Sequence, residues 1–266
     1  MDNCISSEFY MKRSFVVSLA NDMRNLLVST TANRLFNNKE FRLLNLCTLS
    51  ILLHNTAPMS QYFEIHPTHP QLRLIHQAVE IIDAGGLVVY PTDSSYAIGC
   101  HLGDKTAMER IQRIRQVDDK HYFTLVCSDL SEISTYAKVD NSQYRMLKSL
   151  TPGPYTFILK ATHEVPRRLM NPKRRMIGMR VVENEIVKAI LNELGQPLMS
   201  STLIMPGKDM PETDPEEIRD LLEKHVDLII DGGNCGFEPT TVINMVDNPP
   251  TLIRQGKGTD HGLDTD

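Results

Sequence analysis

Residues 88–100 read VVYPTDSSYAIGC, two short apolar runs on either side of a polar PTDSSY turn. Apolar runs of this length, bounded by Pro, Asp and Ser, are strand signals. The turn therefore sets hydroxyls and a carboxylate at a strand end, where open α/β sheets place ligands. The flanking sequence supports that class. Leu72, Ile75, Ala78, Val79 and Ile82 recur at helical spacing, and Gly85-Gly86 follows as a stop signal before a strand over 87–90.

The same alternation continues to the end of the chain. Met108, Ile111 and Ile114 mark a second amphipathic helix, and residues 124–127 a buried strand. Further strands are expected over 155–159, 177–181, 198–200, 228–231 and 241–245, with helices near 141–150, 185–194 and 214–225. Strands alternating with helices predict an α/β domain built on an open, twisted, largely parallel sheet flanked by helices. The Pro and Gly clusters at 151–154 and 207–215 read as loops.

A chain of 266 residues, 41% of them hydrophobic, suits one large domain with an appendage. That domain is expected over residues 63–258, with 259–266 as a flexible tail. Residues 1–58 have few glycines or prolines and no clean period. Their apolar run at 41–53 is interrupted by Arg42, Asn45 and Thr48, too short and polar for a membrane span. They are expected to be a loose extension or upstream sequence without a catalytic role, Met59-Ser60-Gln61 being a natural start. The five cysteines lack metal-ligand spacing and suit reduced thiols, so a cytoplasmic protein is expected, without a membrane partner or a bound metal.

The formal charge of −5 argues against a surface that is cationic throughout. It is unevenly spread. Residues 105–180 hold 15 Lys or Arg against 7 Asp or Glu, whereas 181–266 hold 6 against 17. A basic middle third can meet phosphates in an acidic chain. Arg113, Arg115 and Lys120 form R-x-R with a lysine five residues on, either a solvated helical face or a set of forks and a point charge for phosphate oxygens. Arg167, Arg168, Lys173, Arg174 and Arg175 crowd one stretch, either solvated surface or an RNA contact. With no tryptophan in the chain, backbone recognition of double-stranded RNA or tRNA is favoured over base stacking. Thr92, Asp93, Ser94 and Tyr96 in the PTD turn serve either a capped strand-to-turn connection or a ligand.

Five segments in order, the PTD turn, TPGPYTFILK at 151–160, IGMRV at 177–181, PTTVIN at 239–244 and LIRQG at 252–256, resemble the YrdC/Sua5 family over residues 63–258. The resemblance is strongest to its YciO branch, which shares the RIRQ segment at 113–116. It implies a YrdC-like fold with a large positively charged concave face. It also implies use of ATP, with Mg2+, together with L-threonine and bicarbonate to make L-threonylcarbamoyl-AMP for tRNA modification, or else a non-catalytic role in binding nucleotide or RNA. The family's K-x-R-P segment, which grips ATP phosphates, aligns with Arg113, Arg115 and Gln116, so Arg replaces Lys and Gln replaces Pro. Its S-x-N nucleotide motif falls in PLMSSTLIMPG, where Ser201 and Thr202 keep hydroxyls but Ile204 stands at the asparagine. Thr92 and Tyr96 are implied in substrate binding, Arg180 as a strand-borne arginine facing the groove, and Thr240, Thr241 and Arg254 as its further lining. No general base or covalent nucleophile stands out, which suits catalysis by positioning.

Overall fold

Helix α1 (Leu72–Asp83) buries Ile75, Ala78, Val79 and Ile82, four of the five residues whose spacing announced it, while Leu72 in its first turn is exposed. It stops where expected, because Gly85 takes φ +83°, a conformation costly for residues with a Cβ. The computed structural model describes residues 59–117, 123–169 and 175–265; the expected extension 1–58, together with Lys120, Lys173, Arg174 and the side chain of Arg168, lies outside them. The described residues belong to one compact unit, Pro58–Asp266.

The strands are β1 (Gln61–Glu64), β2 (Val88–Tyr90), β3 (Ala97–His101), β4 (Thr124–Val126), β5 (Ala137–Lys138), β6 (Tyr155–Ala161), β7 (Met176–Arg180), β8 (Leu198–Thr202), β9 (Leu228–Asp231), β10 (Thr241–Asn244) and β11 (Thr251–Arg254). They form an 11-stranded sheet in the order β1-β9-β2-β3-β8-β4-β7-β6-β10-β11, with β5 on β6. The α/β class holds, but the pairing is mixed rather than largely parallel. Pairs β1/β9, β2/β9, β4/β7 and β6/β10 are parallel, whereas β2/β3, β3/β8, β4/β8, β5/β6, β6/β7 and β10/β11 are antiparallel. The physical reason lies in the PTDSS turn, which returns β3 beside β2 without a helical crossover, and β3 then takes β8 as its second antiparallel neighbour.

Helices α2 (Lys105–Arg115), α3 (Leu130–Tyr136), α4 (Asn141–Leu150) and α6 (Pro215–Leu222) contribute Ala107, Ile111, Ile133, Leu147 and Ile218 to one core layer with Val89, Ile98, Leu125, Phe157, Met179 and Met199. Helices α1 and α5 (Glu185–Leu194) pack on the other face, against Val88, Tyr90, Val126, Leu198 and Leu228. Caps set the helix starts: Asp104, Asp140, Asn184 and Asp214 each accept from backbone amides of the first turn. The residues expected as a flexible tail instead lie along the sheet edge. Leu252 donates to the Asp264 carbonyl at 2.8 Å, and Tyr155 Oη lies 3.0 Å from His261 and 3.2 Å from Thr259.

Candidate functional site

Side chains alternate across a sheet, so register tells which residues share a face. Ser200, Thr124, Gly178, Ile158 and Asn244 are paired in succession across β8, β4, β7, β6 and β10. In the next row Leu198, Val126 and Arg180 are paired, and Thr156 pairs with Val242. Leu198 and Val126 lie under α5. Beyond them Thr124, Ile158 and Val242 are only half-buried, and neither Ile158 nor Val242 joins the hydrophobic core on either side of the sheet. Gly178 keeps this floor level, since a Cβ there would meet Thr124 Oγ1 at 2.9 Å.

The PTD turn folds over this face. The Thr92 hydroxyl donates to the Ser95 carbonyl at 2.6 Å and accepts from the amides of Ser94 and Ser95, both at 3.2 Å. It is buried and shapes the turn. Tyr96 supports the turn too. Fully buried, it donates to the Gly233 carbonyl at 2.9 Å, and burial pushes its phenol far up, so it holds the loop from beneath. Asp93 is the turn residue that reaches the open face, where its carboxylate accepts from Arg180 and from the Glu183 amide at 3.0 Å, while its carbonyl accepts from Lys257 Nζ. Arg180 is buried and its Nε has no acceptor.

Opposite the turn, the Thr240 hydroxyl lies 2.9 Å from that of Thr156, and Arg254 donates to the Thr240 carbonyl at 2.9 Å. Thr241 has no exposed surface and spends its hydroxyl on the Gly258 carbonyl at 2.6 Å and the Gly256 amide at 2.9 Å. It anchors the 254–258 segment. That segment brings Lys257 over to Asp93, so Arg254 and Lys257 flank the floor with no carboxylate partner among the described residues. Lys257 was not anticipated, because a lone lysine between two glycines has no spacing to mark it.

The remaining candidates separate. Ser201 projects with Met199 and Leu203 to the face packed by α2, where its hydroxyl meets Arg115, and Arg115 Nε also donates to the Ile204 carbonyl at 3.4 Å. Burial lowers the Arg115 pKa from its ordinary value. Ser200, on the opposite side of β8, accepts from Tyr90 Oη at 2.6 Å. Thr202, the last residue of β8, is half-buried. Arg113 is exposed and turned toward its own helix, Nε donating to the Glu109 carbonyl at 3.2 Å. It does not join Arg115. Gln116 explains why proline is absent here: its φ of +49° is closed to a pyrrolidine ring. Of the basic run, Arg167 lies in a short 3-10 turn and Arg175 is exposed at φ +50°.

Chemically, the open face offers fixed cations, hydroxyls and one unpaired guanidinium donor. Burial pushes the thiols of Cys100 and Cys127 up and that of Cys235 to about 11, so none of the three is a ready nucleophile at neutral pH. Among the described residues no three His, Cys, Asp or Glu side chains come together to hold a metal. No described helix is long and apolar enough to cross a membrane.

Comparison with known proteins places the chain. YciO of Escherichia coli K12 is 60% identical over 200 residues, covering 75% of this chain and 97% of YciO. A Methanocaldococcus jannaschii protein named as a putative threonylcarbamoyl-AMP synthase is 28% identical over 65% of this chain and 80% of its own length. Among solved structures, E. coli YciO superposes with TM-score 0.74 at 60% identity over 76% of this chain and 98% of that one. The P. abyssi Sua5 structure with L-threonine gives TM-score 0.68 at 24% identity over 74% and 58% of the two chains, a likeness of fold. The Sua5/YciO/YrdC family model, described as telomere recombination, matches residues 80–256, and the chain belongs to that family.

Proposed function

We propose that the open sheet face binds an amino acid, with L-threonine as first choice, next to ATP, and joins them with bicarbonate as L-threonylcarbamoyl-AMP. The observation that carries this reading is Arg180: a buried guanidinium fixed by Asp93, with its Nε free of any acceptor, at the edge of a floor flanked by Arg254 and Lys257. Such a donor suits a carboxylate. The threonine amine attacks the bicarbonate carbon, and water leaves to give a carbamate. A carbamate oxygen then attacks the α-phosphorus, forming an O–P bond while pyrophosphate departs with the electrons of the broken P–O bond. The chain's part is to bind, orient and neutralise, with Arg254 and Lys257 meeting phosphate charge and the Thr92-pinned turn closing one side. Mg2+ would enter on the triphosphate as part of the substrate, and Asp93 on this face is committed to Arg180. The name of the M. jannaschii relative and the threonine in the P. abyssi Sua5 structure support the substrate choice. Threonine-dependent pyrophosphate release by the full chain with ATP and bicarbonate, abolished by Arg180→Gln, is the expected result; release that ignores threonine would refute it.

A second reading, RNA binding, is favoured by one observation. Lys138 and Lys160 stand directly opposite each other in the β5/β6 pair, both exposed and without a carboxylate partner among the described residues. Like charges so placed destabilise a sheet, and a polyanion offsets that repulsion. Exposed Arg175 lies alongside, its carbonyl accepting from the Ala161 amide at 2.9 Å. Binding of tRNA or double-stranded RNA should then weaken with salt, and Lys138→Gln/Lys160→Gln should lower the log–log slope by about 2. A slope unchanged by the pair would remove this face from RNA contact. Both readings take the protein to be cytoplasmic.

A further inference from the structure

Strand β1 ends the sheet, and among the described residues only β9 pairs with it. Gln61 and Ile65 donate their amides to the Asp227 and Asp231 carbonyls at 2.9 and 2.8 Å. Backbone direction alternates along a strand, so Tyr62 and Glu64 turn their N–H and C=O groups away from β9, to the open edge. Such a row of groups is a template for another strand, which proteins commonly blunt with proline, a bulge or charge. β1 has no proline and runs in unbroken register with β9; its one charge is the exposed Glu64. Tyr62 packs on the α6 side of the sheet and Phe63 on the α1 side, each half-buried. Arg219 of α6 stands over the Tyr62 ring, 4.8 Å from its centre. Alternation sets Glu64 on that same side. Glu64 and Arg219 are both exposed, and neither forms an ion pair among the described residues. Asp231 is held by the Tyr62 hydroxyl and the Gly233 amide, both at 2.8 Å, and Glu216, one turn before Arg219 on α6, makes no ion pair with it.

We propose that β1 pairs antiparallel with β1 of a second copy of this chain, about a two-fold axis at Phe63, so that one sheet runs through both copies. The backbone selects this register. With Phe63 facing its counterpart, Tyr62 of each copy stands opposite Glu64 of the other, and each such pair exchanges both N–H···O=C bonds through the groups that β9 leaves unused. The two Phe63 rings then meet at the non-hydrogen-bonded position, where side chains come closest and aromatic pairs stabilise a sheet. Glu64 of one copy comes to lie beside Tyr62 of the other, next to the Arg219 that covers it. Two-fold symmetry makes that ion pair twice. Neighbouring registers lack this match. Moving the axis to Tyr62 sets Glu64 opposite Ser60, moving it to Glu64 sets two carboxylates against each other, and an odd slip would join residues from opposite faces. The charge that ordinarily guards an edge here has its complement on the second copy.

The test is sedimentation velocity of the full chain from micromolar to hundreds of micromolar. A concentration-dependent equilibrium between monomer and dimer is expected. Glu64→Lys or Arg219→Glu alone should weaken dimerisation at least about tenfold, because each sets like charges against each other across the axis. Glu64→Lys/Arg219→Glu in one chain restores opposite charges and should recover the dimer. That recovery separates lost pairing from lost folding, since a misfolded single variant would not be rescued by a second reversal at another exposed position. A monomer at every concentration, a dimer indifferent to the single reversals, or a double variant that dimerises no better than either single variant would each overturn the proposal.

Discussion

Arg180 on β7 and Asp93 in the turn after β2 form a buried ion pair, although β3, β8 and β4 lie between their strands in the sheet. Register alone sets Arg180 beside Leu198 and Val126, several residues along β8 from Thr202, the level at which the turn begins. The turn reaches across the sheet face to make this contact, so this pair fixes the shape of the candidate site as well as its charge. With side chains only 8% and 9% exposed, removing either partner strands the other. Asp93→Asn or Arg180→Gln should each destabilise the fold by roughly 3 to 5 kcal/mol. Urea unfolding of both, and of the double variant, checks this: the double loss should fall well short of the sum.

The floor beside that pair depends on one missing side chain. At Gly178 a Cβ would stand 2.9 Å from Thr124 Oγ1, closer than such atoms approach. Gly178→Ala should cost about 1 to 3 kcal/mol through overpacking. Adding Thr124→Ser leaves the hydroxyl free to rotate and should recover part of the loss in thermal unfolding, whereas Thr124→Ser alone should change little. If the double variant melts no higher than Gly178→Ala, the contact is not the source of the strain.

Gln116 carries the α2 helix into a left-handed turn at φ +49°, with its amide donating to the Arg113 carbonyl at 3.4 Å. Glycine adopts this conformation without a Cβ penalty, so Gln116→Gly should be neutral or stabilise by up to about 1 kcal/mol despite the added freedom of the unfolded chain. Gln116→Pro, the residue that the family segment would suggest, should destabilise by about 3 kcal/mol or more, since φ cannot follow and an amide donor is lost. Denaturation midpoints should therefore fall for Gln116→Pro and stay level or rise for Gln116→Gly.

The half-buried Cys235 sits against the PTD turn, its Sγ 3.7 Å from the Thr92 carbonyl, and burial raises its pKa to about 11. At pH 8 only about one molecule in a thousand then carries the thiolate. Iodoacetamide labelling of the Cys235 peptide, followed by mass spectrometry, should be slow at pH 8 and accelerate about tenfold per pH unit until near pH 11, for as long as the fold persists. Rapid labelling at pH 8 would mean that the turn opens.

Helices and strands of the domain were legible where a period or a cap marked them: α1 from its apolar stripe, α2 and α6 from theirs, the β2 and β3 strands from the apolar runs around PTDSS. Two-residue β5 and seven-residue α3 are too short to show a period. The mixed strand pairing was hidden because it depends on which distant strands meet, and β8 lies more than ninety residues from β3. For the site, residue types do not reveal which hydroxyls the fold itself uses. Thr92, Tyr96 and Thr241 have the chemistry of ligand contacts, yet each spends its hydroxyl on backbone within the fold, and only packing reveals that.

The end of β8 offers the sharpest test of how far this chain has moved from the family's nucleotide site. Thr202 keeps a hydroxyl there, while Ile204 stands where the family motif carries asparagine. The backbone at Ile204 is already held, its amide donating to the Thr202 carbonyl at 3.0 Å and its carbonyl accepting from Arg115 at 3.4 Å. Ile204→Asn therefore changes the side chain and leaves these bonds available. If ATP lies against this strand end, the restored amide should tighten ATP binding about ten- to a hundredfold, the effect of about 1 to 3 kcal/mol for a polar group regaining its partner. Titration of ATP into both proteins at fixed Mg2+ decides it. Equal affinities would place the nucleotide away from β8 and leave the Arg254 and Lys257 side of the sheet face as its remaining seat.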